Sequence, residues 1–129
     1  MADMNQTVDK FFNTADYTES FHPQDIAQNK VMAILSYIGI LVLIPVFAAK
    51  NSAYAKFHAN QGLILCIAEA AVGLVLGLLG LIPYVGVVFR IVMWVCEAVF
   101  AALSLIGFVY AILGKAKELP FIGGIYILK

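Results

Sequence analysis

The chain alternates between a polar beginning and three long apolar runs. Residues 31–49, VMAILSYIGILVLIPVFAA, carry no charge and lie between Lys30 and Lys50. At 1.5 Å per residue this run is about 28 Å long as a helix, close to the roughly 30 Å hydrocarbon core of a bilayer. It predicts a first membrane span, with Pro45 kinking or ending it. Residues 62–82, GLILCIAEAAVGLVLGLLGLI, predict a second span with a single charge, Glu69, and Pro83 closes it. The turn PYVG allows only a tight hairpin. The third span is expected over about 87–113; it holds Arg90 and Glu97 and, at about 40 Å, must tilt, break or protrude. The expected fold is all-α: an integral membrane helical bundle of three transmembrane helices, the second and third forming an antiparallel hairpin.

The polar beginning reads differently. Five of the eight carboxylates (Asp3, Asp9, Asp16, Glu19, Asp25) fall in the first 25 residues, with only Lys10 among them. Residues 1–22 are expected to be an acidic flexible tail, in which Val8, Phe11 and Phe12 offer a short apolar face. The tail lacks the pattern of a signal peptide. The membrane domain is expected over 23–129, opening on Pro23 at a helix first turn and on Asp25, which favours the positive helix start. At the other end FIGGIYIL is apolar but too short to span, so it is expected at the interface. IPYVG (82–86) and LPFIG (119–123) echo each other, as common turn grammar or as a trace of an old repeat.

Composition changes the picture in one respect. Hydrophobic residues make up 63% and charged residues 12% of the 129-residue chain, against roughly 45–50% and about 25% in soluble proteins. Such a chain cannot build a polar surface, so the lipid bilayer is its expected partner. The formal net charge of zero argues against nucleic acid, which demands a basic face. Cys66 and Cys96 read as small buried hydrophobes. No nucleophile with a base, phosphate loop or metal quartet is present, so no enzyme activity, cofactor or metal is expected. With three spans the ends lie on opposite sides. Lys50, Lys56, Lys115, Lys117 and Lys129 then share one side, which the positive-inside rule makes cytoplasmic. The N-terminus is therefore expected outside and the C-terminus cytoplasmic.

Three groups of residues are candidates for chemistry. Glu69 and Glu97 lie fourteen residues before and after Pro83, so in an antiparallel hairpin both stand about 21 Å from the turn. Two carboxyls at one depth need a proton, a cation or a donor between them, and they serve either as inter-helix glue or as a proton or cation site. Arg90, two turns from Glu97, snorkels to the headgroups or pairs with it. Gly73, Gly77 and Gly80 form a stripe with Glu69 that suits close helix packing, within the chain or with another copy. The third group is Lys56, Phe57, His58, Asn60 and Gln61, a polar cluster at the mouth of the second span. It either caps backbone groups at the helix entrance or contacts a headgroup or peptide.

The segments Asp25-Ile26 with Asn29-Lys30, Ser36-Tyr37-Ile38-Gly39, Ile44-Pro45, Ala49-Lys50-Asn51-Ser52, Phe57-His58-Ala59-Asn60-Gln61-Gly62-Leu63 and Gly114-Lys115-Ala116-Lys117-Glu118-Leu119-Pro120 resemble the small bacterial membrane proteins of the Tic20-like family, over about residues 23–129. Eukaryotic members belong to the protein-import apparatus of the chloroplast inner envelope and are proposed to form a channel. The resemblance implies a bacterial inner (cytoplasmic) membrane as the location and a self-associating or accessory component of a membrane assembly, with a homo-oligomer or other membrane proteins as partners and a translocation-related role. The alternatives are a small proton- or cation-coupled transporter or channel using Glu69 and Glu97, and an immunity or envelope-stress protein.

Overall fold

The computed structural model describes residues 15–122 and 124–128. The suggested face of Val8, Phe11 and Phe12 lies outside the described residues. Among the described residues five α-helices follow one another: α1 (Pro23–Gln28), α2 (Lys30–Leu35), α3 (Leu43–Ala48), α4 (Ala53–Leu79) and α5 (Gly86–Ile112), with 3-10 turns at Thr18–Ser20 and Gly39–Val42. Among the described residues the one β-type pairing is an isolated antiparallel bridge between Asp16 and Lys117.

Helices α4 and α5 form the expected antiparallel hairpin, each 27 residues long, and their most apolar 18-residue stretches have mean hydropathies of 2.4 and 2.2. Both are long and apolar enough to cross a membrane. Their outward faces are exposed and apolar, with Ile67, Leu74, Val75 and Leu78 on α4 and Val88, Ile91, Trp94 and Val95 on α5. The seam between them uses part of the glycine stripe. A Cβ at Gly73 would stand 3.7 Å from Glu97 Oε1, and one at Gly80 would meet Arg90 Cγ at 2.8 Å, whereas Gly77 faces open space. Gly73 and Gly80 therefore serve packing within the chain.

The segment 31–49 is not one continuous helix. Ser36 Oγ bonds back to Met32 O (3.2 Å), an interaction that loosens a helix, and Gly39 takes φ +51, which a helix excludes. Pro45 has no N–H to donate to Leu41 and crowds its carbonyl, so the helix restarts at Leu43 with proline in its first turn. The chain doubles back, and α2 packs beside α3. Asp25, before the hairpin, accepts bonds from Ser52 Oγ and from Tyr54 N (3.0 Å) after it. Both ends of this helical hairpin thus lie at the same end of the molecule. Its turn presses on α4 at Gly62, where a Cβ would sit 1.7 Å from Ser36 O.

The doubling back reverses the expected relation between the two ends of the chain. Tyr17 N bonds Ala116 O (2.8 Å) and Glu118 N bonds Ala15 O (2.9 Å), so residues 15–18 lie beside 116–118 and not across a bilayer from them. Residues 15–22 are also not a loose tail. Phe21 meets Phe57 edge-on at 5.8 Å and Tyr54 at 6.3 Å, and Tyr17 meets Phe57 at 6.0 Å.

The two echoed segments share one geometry. Tyr84 and Phe121 both adopt positive φ, +67 and +71. In each case the following amide bonds the preceding proline carbonyl at 2.8 Å (Val85 N to Pro83 O, Ile122 N to Pro120 O). These are γ-turns of the rare positive-φ kind.

Glycine substitutions test the packing. Gly62→Ala must separate α4 from the hairpin backbone and is expected to destabilise by about 3 kcal/mol, the upper range for overpacking. Gly77→Ala meets nothing and is expected to stabilise by up to about 1 kcal/mol through helix propensity. Denaturant titration in mixed micelles reads both.

Candidate functional site

The polar cluster does not lie at the helix entrance. Helix α4 begins at Ala53, and its N-terminus is capped by Ser52, whose hydroxyl accepts from Ala55 N (3.0 Å), and by Asp25 from a separate helix. Such capping satisfies amides that lipid cannot. His58, Asn60 and Gln61 lie in the second and third turns and are buried.

Their partners are backbone groups of the C-terminal segment. His58 Nε2 stands 2.7 Å from Lys115 O. Gln61 Oε1 accepts from Leu119 N (2.6 Å). Asn60 Oδ1 accepts from Ile127 N (2.6 Å) and Leu128 N (3.0 Å), while its Nδ2 donates to Ile125 O (2.7 Å). Three side chains of one helix thus hold chain from residue 115 to residue 128. FIGGIYIL is tied to α4 through Asn60, and its side chains Ile125, Tyr126 and Ile127 remain about half exposed.

The bonds have a definite direction. A carbonyl only accepts, so His58 Nε2 carries a proton. Gln61 Nε2 donates to Tyr37 Oη (2.9 Å), and Tyr37 Oη lies 2.6 Å from His58 Nδ1. Tyr37 has one proton to give, and a neutral His58 accepts it at Nδ1. The wiring runs Gln61 to Tyr37 to His58 to the Lys115 carbonyl. Around the imidazole stand Tyr54, Tyr37 and Phe57, edge to face at 4.9, 5.4 and 5.4 Å. Tyr54 Oη donates to Ala111 O (3.2 Å). No buried side-chain polar atom among the described residues lacks a partner. Tyr37 seats against Gly107, where a Cβ would meet its ring at 2.2 Å.

Sequence reasoning missed Tyr37, Tyr54 and Asp25 as members of this network. A tyrosine inside a charge-free run is the available signal, since a buried phenol needs a partner. Phe57 belongs to the aromatic packing. Lys56 and Lys50 both line a small cleft beside α3. On the N-terminal side, the hydroxyl and amide of Thr18 hold the Asp16 carboxyl below its ordinary range, and Thr18 Oγ1 also accepts from Ala116 N (2.9 Å). The carboxylate form favours this strap, and its contribution fades as pH falls through the lowered pKa.

The structure brings Glu69 and Glu97 together, side chain to side chain. Glu69 is exposed on the hairpin surface, not enclosed in a seam, and Glu97 is half-buried. Ser36, Tyr37, Gly39, Cys66 and Ser104 surround a narrow gap next to Glu69. Arg90 is exposed near the 80–86 turn, where it can reach headgroups. Among the described residues no group of three or more potential metal ligands occurs.

No protein-family model matches the chain, and no solved structure matches it. It is similar to the magnetosome protein MamF of Paramagnetospirillum magneticum, 49% identical over 35 residues, which are 27% of this chain and 32% of that protein. The chain therefore spans about a third of the length of this curated relative. The similarity and the two apolar helices together indicate a membrane protein.

Asn60→Ala removes three bonds to residues 125–128 and leaves α4 otherwise intact. Amide exchange at Ile127 and Leu128 is expected to quicken by at least about tenfold, matching a loss of more than about 1.4 kcal/mol. Exchange within α5 is expected to stay unchanged, which hydrogen-exchange mass spectrometry in detergent checks.

Proposed function

We propose that the chain is a multi-pass protein of a bacterial cytoplasmic membrane, acting without enzymatic chemistry as a self-associating or accessory component of a membrane assembly. The carrying observation is the Glu69–Glu97 pair on the exposed flank of the hairpin, near mid-span. Lipid offers such groups no partner, whereas a neighbouring helix does. The Tic20-like motifs support a translocation-related assembly. The likeness to a protein named for the magnetosome supports an assembly on a membrane without naming its cargo.

In this reading α4 and α5 cross the bilayer. The α2–α3 hairpin enters and returns on one side as a re-entrant element, in place of a third span. Irregular backbone is tolerated at that depth because protein covers it. Residues 15–25 and 113–128 then share one face with Lys50, Lys56, Lys115 and Lys117, the cytoplasmic face by the lysine bias.

Two measurements test the proposal. Ala70→Cys, in a Cys66→Ser and Cys96→Ser background, is expected to form an oxidative cross-link to a second copy or to another membrane protein; absence of any cross-linked species in native membranes contradicts it. For topology, an impermeant thiol reagent is expected to label Tyr84→Cys in intact cells. Thr18→Cys and Lys117→Cys are expected to react only after the membrane is opened.

The contact between the two carboxyls favours a second reading, a proton- or cation-coupled pathway. Glu69→Gln separates the two: it abolishes ion flux in liposomes under the second reading and leaves association intact under the first.

A further inference from the structure

The last described residues are held mainly through their backbone. Asn60 accepts from Ile127 N and Leu128 N and donates to Ile125 O. Tyr126 Oη donates to Glu118 Oε2 (2.7 Å), and Leu128 lines the cleft beside α3. Ile125, Tyr126 and Ile127 keep about half of their surface exposed. The segment also carries a turn of its own, since Ile125 N bonds Ile122 O (3.1 Å). It is a small unit seated on one residue of α4. The connection to it is strained. Phe121 sits at φ +71, closed by the bond from Ile122 N to Pro120 O (2.8 Å). A residue with a side chain disfavours this region, and the turn it makes is the strained kind of γ-turn. Swinging the segment outward returns Phe121 to an ordinary extended angle. A short hinge under strain favours exchange of the element beyond it between identical chains.

We propose that two copies of this chain exchange their C-terminal segments beyond Phe121. Asn60 of each copy then binds the backbone of Ile125, Ile127 and Leu128 of the other, and Glu118 of each accepts from Tyr126 of the other. The fit is already set by the contacts within one chain, so the exchanged pair remakes the same bonds. What differs is the hinge, and relief of its strain drives the exchange. A two-fold axis along the bilayer normal keeps both heads at one depth, so the exchange closes on itself as a dimer. This deepens the self-association proposed above, rests on that reading, and names the residues that carry it.

Native mass spectrometry of the full chain from mild detergent counts dimers. Phe121→Gly accepts the positive φ without steric cost and is expected to weaken dimerisation by about tenfold: roughly fivefold or more per hinge, less the freedom that glycine gains when the hinge opens. Tyr84→Gly relieves the matching turn outside the segment and is expected to leave dimerisation near wild type. A second measurement reads the exchange itself. An isotope-labelled Asn60→Ala copy keeps an intact segment but has lost its seat. An unlabelled Ile127→Pro with Leu128→Pro copy keeps the seat but lacks the two amides. When the two are reconstituted together in phosphatidylcholine nanodiscs, amide exchange at Ile127 and Leu128 of the labelled copy is expected to slow by about fivefold or more relative to that copy alone. Unchanged exchange there overturns the proposal. If exchange within α5 shows that the Asn60→Ala copy does not fold, the comparison of Phe121→Gly with Tyr84→Gly decides. Wild-type dimers that survive Phe121→Gly undiminished, or that weaken equally with Tyr84→Gly, overturn the exchange and leave association through the Glu69 flank standing. Absence of any wild-type dimer overturns the exchange and self-association together.

Discussion

Backbone groups outside a helix must find partners, and in apolar surroundings water is not available to supply them. In this chain the obligation falls on residues 115–122 and 124–128, irregular chain that returns across the start of α4. His58, Asn60 and Gln61 meet it by bonding five backbone groups in that segment. Tyr37 ties the same network to the α2–α3 hairpin. Asp25 closes the ring by capping α4 from the other side of that hairpin. The three irregular parts of the molecule, the N-terminal strap, the hairpin and the C-terminal segment, all depend on one and a half turns of α4.

The division of labour along α4 follows. Its first ten residues are almost wholly enclosed by protein, and from Ile67 onward it exposes apolar side chains. A polar, satisfied head therefore stands on a bare apolar two-helix stem. The stem carries few groups that lipid cannot accommodate, and two of them, Glu69 and Glu97, face each other. Such a shape places specific recognition at the head and leaves the stem for lipid or for another helix.

The stem was legible in the sequence. Length, hydropathy and the turn at Pro83 locate both long helices to within a few residues at most ends, and equal spacing from that turn brings Glu69 to Glu97. The start of α4 was harder, because Lys56, His58, Asn60 and Gln61 interrupt the nine residues before Gly62, which then fall outside the run when only apolar length is counted. The α2–α3 hairpin was misread for a related reason. A charge-free run of bilayer length looks like a span, and hydropathy is blind to the break that Ser36, Gly39 and Pro45 introduce together. With that run read as a crossing, the two ends of the chain had to fall on opposite sides. The polar cluster was found, and bonding to backbone was among its expected roles. Its partner could not be found, since the contacts from residues 58–61 to residues 115–128 leave no periodic trace. The matched prolines of IPYVG and LPFIG were a true signal of shared turn geometry.

The account stands or falls on the wiring at His58, which nitrogen NMR of the imidazole reads directly. In selectively labelled protein in a bilayer or micelle at neutral pH, it predicts a neutral ring with the proton on Nε2, shared with the Lys115 carbonyl, and Nδ1 bare toward Tyr37. A ring protonated on Nδ1, or on both nitrogens, contradicts it.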